Sequence, residues 1–364
     1  MVVKRLNIKE AIKEIKGADK KAMEEARCYC DTLIKPLGSL GSLEDMAVRL
    51  AGITGKTHNR LDKKAIIVMA ADNGVCEEGV AAAPQAFSKL QAVNMTRGIC
   101  GVSVFSKAVD ASLVIVDIGL KTSAGTDAIL DKNVRRGTAN MVKGPAMTRE
   151  EAEMAINAGF EVAAEVFRDG TDVLGTGEMG IGNTTSTSAC AIALLGLKPD
   201  LAIGRGAGLT DEALLNKIEV VKKALAMNKP DKSDPIDVLS KVGGLDIAGL
   251  IGCFLAAAYY RKPILIDGAI SAVAALITSR ICPQAIDFMI ATHRSTEPSY
   301  NASINELGLR PFLEMEMRLG EGSGCALAFP TVSAACTMMN EMGTFADIDF
   351  DDSVLVDTRE MEEK

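Results

Sequence analysis

The stretch Ala65-Ile-Ile-Val-Met-Ala-Ala71, followed at once by Asp72-Asn73-Gly74, decides the fold. An unbroken apolar run bounded by a turn signal reads as a strand covered on both faces, the kind found in parallel sheets flanked by helices. Working outward, similar runs occur at Leu113–Ile118, Thr171–Leu174, Leu201–Ile203, Ile264–Ile266 and Ile286–Thr292. Helical spacing of apolar residues lies between them: Ser88–Ile99, Arg149–Phe167, Thr185–Leu195, Asp211–Ala226, Ile247–Tyr260 and Ala272–Ser279. Strand–helix alternation predicts an α/β fold, a Rossmann-like three-layer domain with a mostly parallel sheet and right-handed crossovers. The ends differ. Ile8–Ile34 and Thr331–Met342 read as helices, so residues 1–34 and 331–364 are expected to form a small helical domain beside a catalytic domain of residues 35–330. The acidic tail after Phe345 is expected to be loose.

Composition excludes several classes. The net charge of −8 argues against a nucleic-acid partner, which needs a basic face. Nine scattered cysteines without a CxxC pair fit a reduced cytoplasmic protein better than a disulfide framework. With only two histidines, His58 and His293, no metal site is expected. The N-terminus lacks the apolar centre of a signal peptide. The most apolar stretch, Gly249–Tyr260, is too short to span a bilayer and reads as a buried helix, so no membrane partner is expected.

In an open parallel sheet, ligands sit beyond the carboxyl ends of the strands. Asp72, Asp117, Glu178, Arg205, Asp267 and His293 fall there. Each alone is an ordinary turn residue; together they favour a site. The densest signal is Gly175-Thr-Gly-Glu-Met-Gly-Ile-Gly-Asn-Thr-Thr185, read as a glycine loop that opens a helix capped by Asn183, Thr184 or Thr185, with free N–H groups suited to phosphate. It also matches GxGxxG, with Asp200 about twenty residues on, the dinucleotide fingerprint. Glu178 inside such a loop would repel a pyrophosphate. A second glycine loop, Gly204-Arg-Gly-Ala-Gly208, precedes a helix carrying Lys217, which could lean back toward an anion or simply be solvated. In Arg318-Leu-Gly-Glu-Gly-Ser-Gly324, Glu321 between small residues reads as a usable base or as an acid favoured by a helix N-terminus.

With these residues in place, the chain resembles the nicotinate-nucleotide–dimethylbenzimidazole phosphoribosyltransferase family from about Lys35 to Phe345. The matching motifs are Lys35-Pro-Leu-Gly-Ser-Leu-Gly41, Ala71-Asp-Asn-Gly-Val75, Glu78-Gly-Val80, Pro84-Gln85, Gly177–Thr185, Gly204–Leu209, Val242-Gly-Gly244, Ile266-Asp-Gly268, His293–Pro298, Leu319–Gly324 and Met339–Met342. The resemblance implies transfer of ribose phosphate from nicotinate mononucleotide to a benzimidazole-type lower-ligand base of cobamides. It implies catalysis by Glu321 as base, assisted by Glu178. It places the nucleotide at Gly180, Asn183, Thr184, Gly204, Arg205, Gly206, Lys217, Asp267 and Ser295, and the acceptor at Ala81, Pro84, Gln85, Lys89 and Leu319. No cofactor is implied, and a homodimer is, with pairing to a paralogue as the alternative. The family usually has His where Asn73 stands, and Ser or Thr where Ala81 stands. The second departure leaves a phenol or cresol acceptor open. Rival readings are a nicotinamide-dependent dehydrogenase at the Gly175 loop and a non-catalytic subunit, which should lack Glu321.

Overall fold

The computed structural model describes residues 8–348, 350 and 355–361. Six strands form one sheet: β1 (Lys64–Ala71), β2 (Ala111–Gly119), β3 (Leu130–Asp131), β4 (Val173–Met179), β5 (Ile264–Ile266) and β6 (Met289–Ala291). Every pairing is parallel, in the order β3-β2-β1-β4-β5-β6. The chain builds the sheet outward from β1 in one direction, then returns to add β4, β5 and β6 on the other side. Crevices for ligands form where the direction reverses, here between β1 and β4.

The run that begins β1 sorts its side chains by strict alternation. Ala65, Ile67, Met69 and Ala71 enter one core, together with the helices Arg149–Arg168, Leu245–Tyr260 and Ala269–Ile281. Ile66, Val68 and Ala70 enter the other, with the helices Lys20–Asp31, Ser42–Thr54 and Ser323–Glu341. On the first face, two helices meet backbone to backbone: a Cβ at Gly159 would overlap the Gly249 carbonyl, and one at Gly252 would overlap that of Ile156. Leu245 to Ala258 are all buried. Among the described residues, no helix is long and apolar enough to cross a membrane.

Several expectations need correction. Leu201–Ile203 is not a strand. Pro199 at the first helical turn starts the short helix Pro199–Ala202, and β4 pairs directly with β5, so the sheet has no position for it. Arg205 therefore does not follow a strand. The strand expected at Thr171–Leu174 runs instead through Val173–Met179, because β1 offers ladder partners as far as Ala70↔Met179. The run Ile286–Thr292 begins as the 3-10 helix Pro283–Phe288 and leaves only Met289–Ala291 as strand. The helix expected from Thr331 begins at Ser323, so residues 330 and 331 fall within one continuous helix, and its buried side chains share a core with β1. The tail is not wholly loose. Thr358 donates through N–H and Oγ1 to the Leu37 carbonyl at 3.0 and 2.7 Å, and Arg359 grips Asp31 at 3.2 and 3.1 Å. Residues 349, 351–354 and 362–364 of that tail lie outside the described residues.

Candidate active site

A cleft of about 360 Å³ opens over the ends of β1 and β4, at the reversal point of the sheet. Its wall holds Glu178, Gly180, Asn183, Thr184, Arg205, Gly206, Ser295, Ala81, Leu319 and Glu321 from the expected set. Gly204, Lys217, Asp267, Pro84, Gln85 and Lys89 do not line it.

Glu178 belongs to β4 and is 7% exposed. The GxGxxG reading fails for the same reason: Gly175 and Gly177 are strand residues. A Cβ at Gly175 would crowd Cys325, and one at Gly177 would overlap the Glu321 carbonyl. These glycines admit the helix and loop above the strand rather than a pyrophosphate. Burial, then the charges of Asp246 and Asp267, push the Glu178 carboxyl up to about 8, against hydrogen bonds from Asn183 and the Glu321 N–H. Asn183 does not cap its helix. Gly182 holds the cap position at φ +90°, and the Asn183 amide turns inward to donate to Glu178 Oε2 and, at 3.0 Å, to Asp246 Oδ2.

Glu321 stands on the loop before the helix Ser323–Glu341. Residues 320, 321 and 322 have φ of +77°, +66° and +98°. Glycine adopts such angles freely, but the glutamate is strained by about 1 kcal/mol or more. What holds it is visible: Asp267 accepts from the N–H groups of Gly322 and Gly324 at 3.1 and 2.7 Å. Asp267 thus anchors the loop from behind. The Glu321 carboxylate accepts from Gln91 Nε2 at 2.7 Å and from Val102 N at 3.3 Å, the latter in the first turn of the helix Gly101–Ala108. Beneath it, burial and the Glu321 charge push the Cys100 thiol up to about 11.

The two glycine loops meet on the far side of the cleft. Lys217 is fully buried behind them, and its ammonium donates to Thr184 Oγ1 at 2.8 Å and to the Gly204 carbonyl at 3.0 Å. It ties the loops together rather than reaching the cleft. Burial lowers it to about 8 against the pull of Glu297. Arg205 is exposed, and its guanidinium turns to Asp211 and the Leu209 carbonyl. The Glu297 carboxylate accepts from Gly206 N at 2.9 Å, and Ser295 Oγ accepts from Glu297 N at 3.3 Å.

On the acceptor side, Ala81, Ala82, Ala83, Phe87, Ile181 and Leu319 form a largely apolar wall. Phe87 and Gln91, four apart on the helix Phe87–Thr96, face the cleft together; Lys89, between them, points elsewhere. Gln85 instead donates to the Asn73 carbonyl at 2.9 Å. Sequence reasoning therefore missed Gln91, although helical spacing from Phe87 carries the signal. It also missed Glu297, the residue before the helix-starting Pro298, and Asp246, the one acid in an otherwise apolar helix start. Asp117 is held by Leu120 N and Asn133 at 2.8 and 2.7 Å and takes no part in the cleft wall.

A carboxylate in reach of an apolar slot, a second carboxyl with a raised pKa against the same loop and glycine loops beyond suit proton removal from one substrate while a second, polar one is held. Comparison with known proteins agrees. A family model described as Phosphoribosyltransferase matches residues 15–349. The nicotinate-nucleotide–dimethylbenzimidazole phosphoribosyltransferase of Clostridium tetani is 48% identical over 99% of this chain and all of its own length. The like-named protein of Clostridium acetobutylicum is 49% identical over 93% of this chain and 97% of its own. The crystal structure of CobT from Thermus thermophilus superposes with a TM-score of 0.88 at 38% identity, covering 91% of this chain and 99% of that one. Extended similarity of this kind, with the same sheet and the motifs of the cleft in order, makes the chain an enzyme of the nicotinate-nucleotide–dimethylbenzimidazole phosphoribosyltransferase family.

Proposed function

We propose that the enzyme transfers the 5-phosphoribosyl group of nicotinate mononucleotide to 5,6-dimethylbenzimidazole or a related lower-ligand base. The products are nicotinate and an α-riboside 5′-phosphate for cobamide assembly. The observation that carries this reading is Glu321, fixed by Gln91 and Val102 beside an apolar slot. The base lies in the slot between Ala81 and Leu319. Glu321 takes the proton from one imidazole nitrogen while the other nitrogen attacks C1′ of the ribose. The bond from C1′ to nicotinate breaks, and its electron pair neutralises the positive ring nitrogen, so the leaving group needs no metal. Attack from the face opposite the leaving group turns the β-nucleotide into an α-riboside.

The nucleotide lies along Gly180, Asn183, Thr184, Gly206 and Ser295, whose loops Lys217 ties together. Phe87 and Leu319 expose apolar surface at the mouth, which supports a homodimer whose second copy covers it. The helices near the chain ends, which share a core with β1, complete the site in that dimer, in the cytoplasm. A phenolic acceptor is the second reading, favoured by Ala81 in place of a hydroxyl residue. A dehydrogenase is disfavoured, since Gly175 and Gly177 are spent on packing within the sheet. The test is incubation with nicotinate mononucleotide and a panel of benzimidazoles and phenols, with products read by mass. Riboside phosphates are expected; NADH binding with no transfer would refute the reading.

A further inference from the structure

Two buried carboxyls share one amide. Asn183 Nδ2 donates to Glu178 Oε2 and to Asp246 Oδ2, so the two acids lie within two hydrogen-bond lengths of each other. Asp246 has no exposed surface and does not line the cleft; Glu178 does line it. Facing the pair are Asp72 from the end of β1, Asp267 from the end of β5, Cys190 from the helix Asn183–Leu195, and the Glu321 loop. Among the described residues no lysine or arginine makes an ion pair with either carboxyl. Two negative charges this close, with no cation between them, do not both form at neutral pH; the pair holds a proton.

Geometry decides which partner keeps it. Asp246 lies in the first turn of the helix Leu245–Tyr260, and its Oδ1 accepts from Ile247 N at 3.0 Å. A helix N-terminus favours the charged form. Glu178 sits on a strand, outside any helix turn, and its one backbone donor is the Glu321 N–H. We propose that Asp246 is a positioning residue whose charge, held close by the shared Asn183 amide, keeps Glu178 protonated against the donation from that amide, so that Glu178 meets the nucleotide as a neutral hydrogen-bond donor. The shifts agree: burial raises Asp246 to about 6, and burial with Asp246 and Asp267 raises Glu178 to about 8. The chemical sense follows from the cleft. Glu297 and Glu321 already line it, and the incoming nucleotide brings a phosphate. A third negative charge would oppose binding, whereas a protonated Glu178 can donate to the phosphoribosyl group.

This rests on the nucleotide reading above, so the experiment carries two readouts. In protein labelled with 13C at the glutamate carboxyls, the Glu178 signal is identified by its loss in Glu178→Gln. It is expected to titrate near pH 8 in the wild type and at least one unit lower in Asp246→Asn. The KM for nicotinate mononucleotide is expected to rise with pH over the same ranges, and to lose that dependence in Glu178→Gln. A purely structural Asp246 would change stability without moving the titration. Should the Asp246 variant not fold, Asn183→Leu removes the donor that favours the Glu178 carboxylate and is expected to move the signal above its wild-type position. A Glu178 signal near pH 4.5 in the wild type, or one unmoved by both variants, overturns the proposal. A signal that moves as expected with an unchanged KM upholds the coupling and removes the nucleotide from Glu178.

Discussion

Glu178 and Glu321 reach the same cleft from two kinds of backbone, and the charges around them differ. The first rises from the interior of β4 into a ring of acids, Asp246 and Asp267 among them, and holds its proton to about pH 8. The second stands on a strained glycine loop and meets donors: the Gln91 amide and the Val102 N–H at a helix start. Both are almost sealed from solvent, at 7% and 4% exposure, and each accepts from one amide and one backbone N–H. The difference is that Glu178 also faces the carboxyls of Asp246 and Asp267. Environments that differ in this way assign different tasks to the same chemical group. One can donate; the other can accept the acceptor's proton.

The largest expected effect removes that acceptor. Glu321→Gln keeps the loop and its size but cannot take a proton, and turnover should fall on the order of a hundredfold or more. Steady-state kinetics with the melting temperature as a control decides it; near-normal turnover would erase the contrast between the two acids.

Next comes the point where the two backbones touch. A Cβ at Gly177 would overlap the Glu321 carbonyl. Gly177→Ala should lift the loop away from β4, costing about 1–3 kcal/mol of stability by overpacking. Since a small displacement of a reacting group costs far more in rate than in folding, kcat should drop on the order of a hundredfold. Equal losses in both, or in neither, would mean that the register of strand and loop is unimportant.

A smaller effect concerns stability against pH. The folded-state value of Glu178 lies above its ordinary 4.5, so its contribution is present in full below about pH 4.5 and is lost as pH rises through about 8. Glu178→Gln, which stays neutral, should therefore gain melting temperature relative to the wild type between pH 5 and pH 9. A constant difference across that range would show that Glu178 is not the protonated partner.

The smallest effect belongs to the acceptor wall. Apolar pockets separate near-isosteres poorly. With Ala81 in place, at least two benzimidazoles should compete on similar terms for one pool of nucleotide. Ala81→Ser should move product ratios toward benzimidazoles over phenols. Unchanged ratios would take Ala81 out of acceptor choice.

Much of this molecule was legible in its sequence because the informative signals were local. The apolar run at Ala65–Ala71 states a strand buried on both sides, and its alternation into two cores follows from pleating alone. Glycines on both sides of Glu321 announce a backbone that few residues tolerate. Leu201–Ile203 shows the limit: three apolar residues suit either element, and Pro199 with a filled sheet made them a helix end. Tertiary structure alone decided what depends on contacts between distant residues. Lys217 became a tie between loops, not a ligand for the cleft, because Thr184 and Gly204 close over it. Gln91 and Val102 became partners of Glu321 across more than two hundred residues of chain. Residue types and spacing fixed which groups could do chemistry; charge state and direction depend on neighbours that sequence proximity does not reveal, since electrostatic energies follow distance in space.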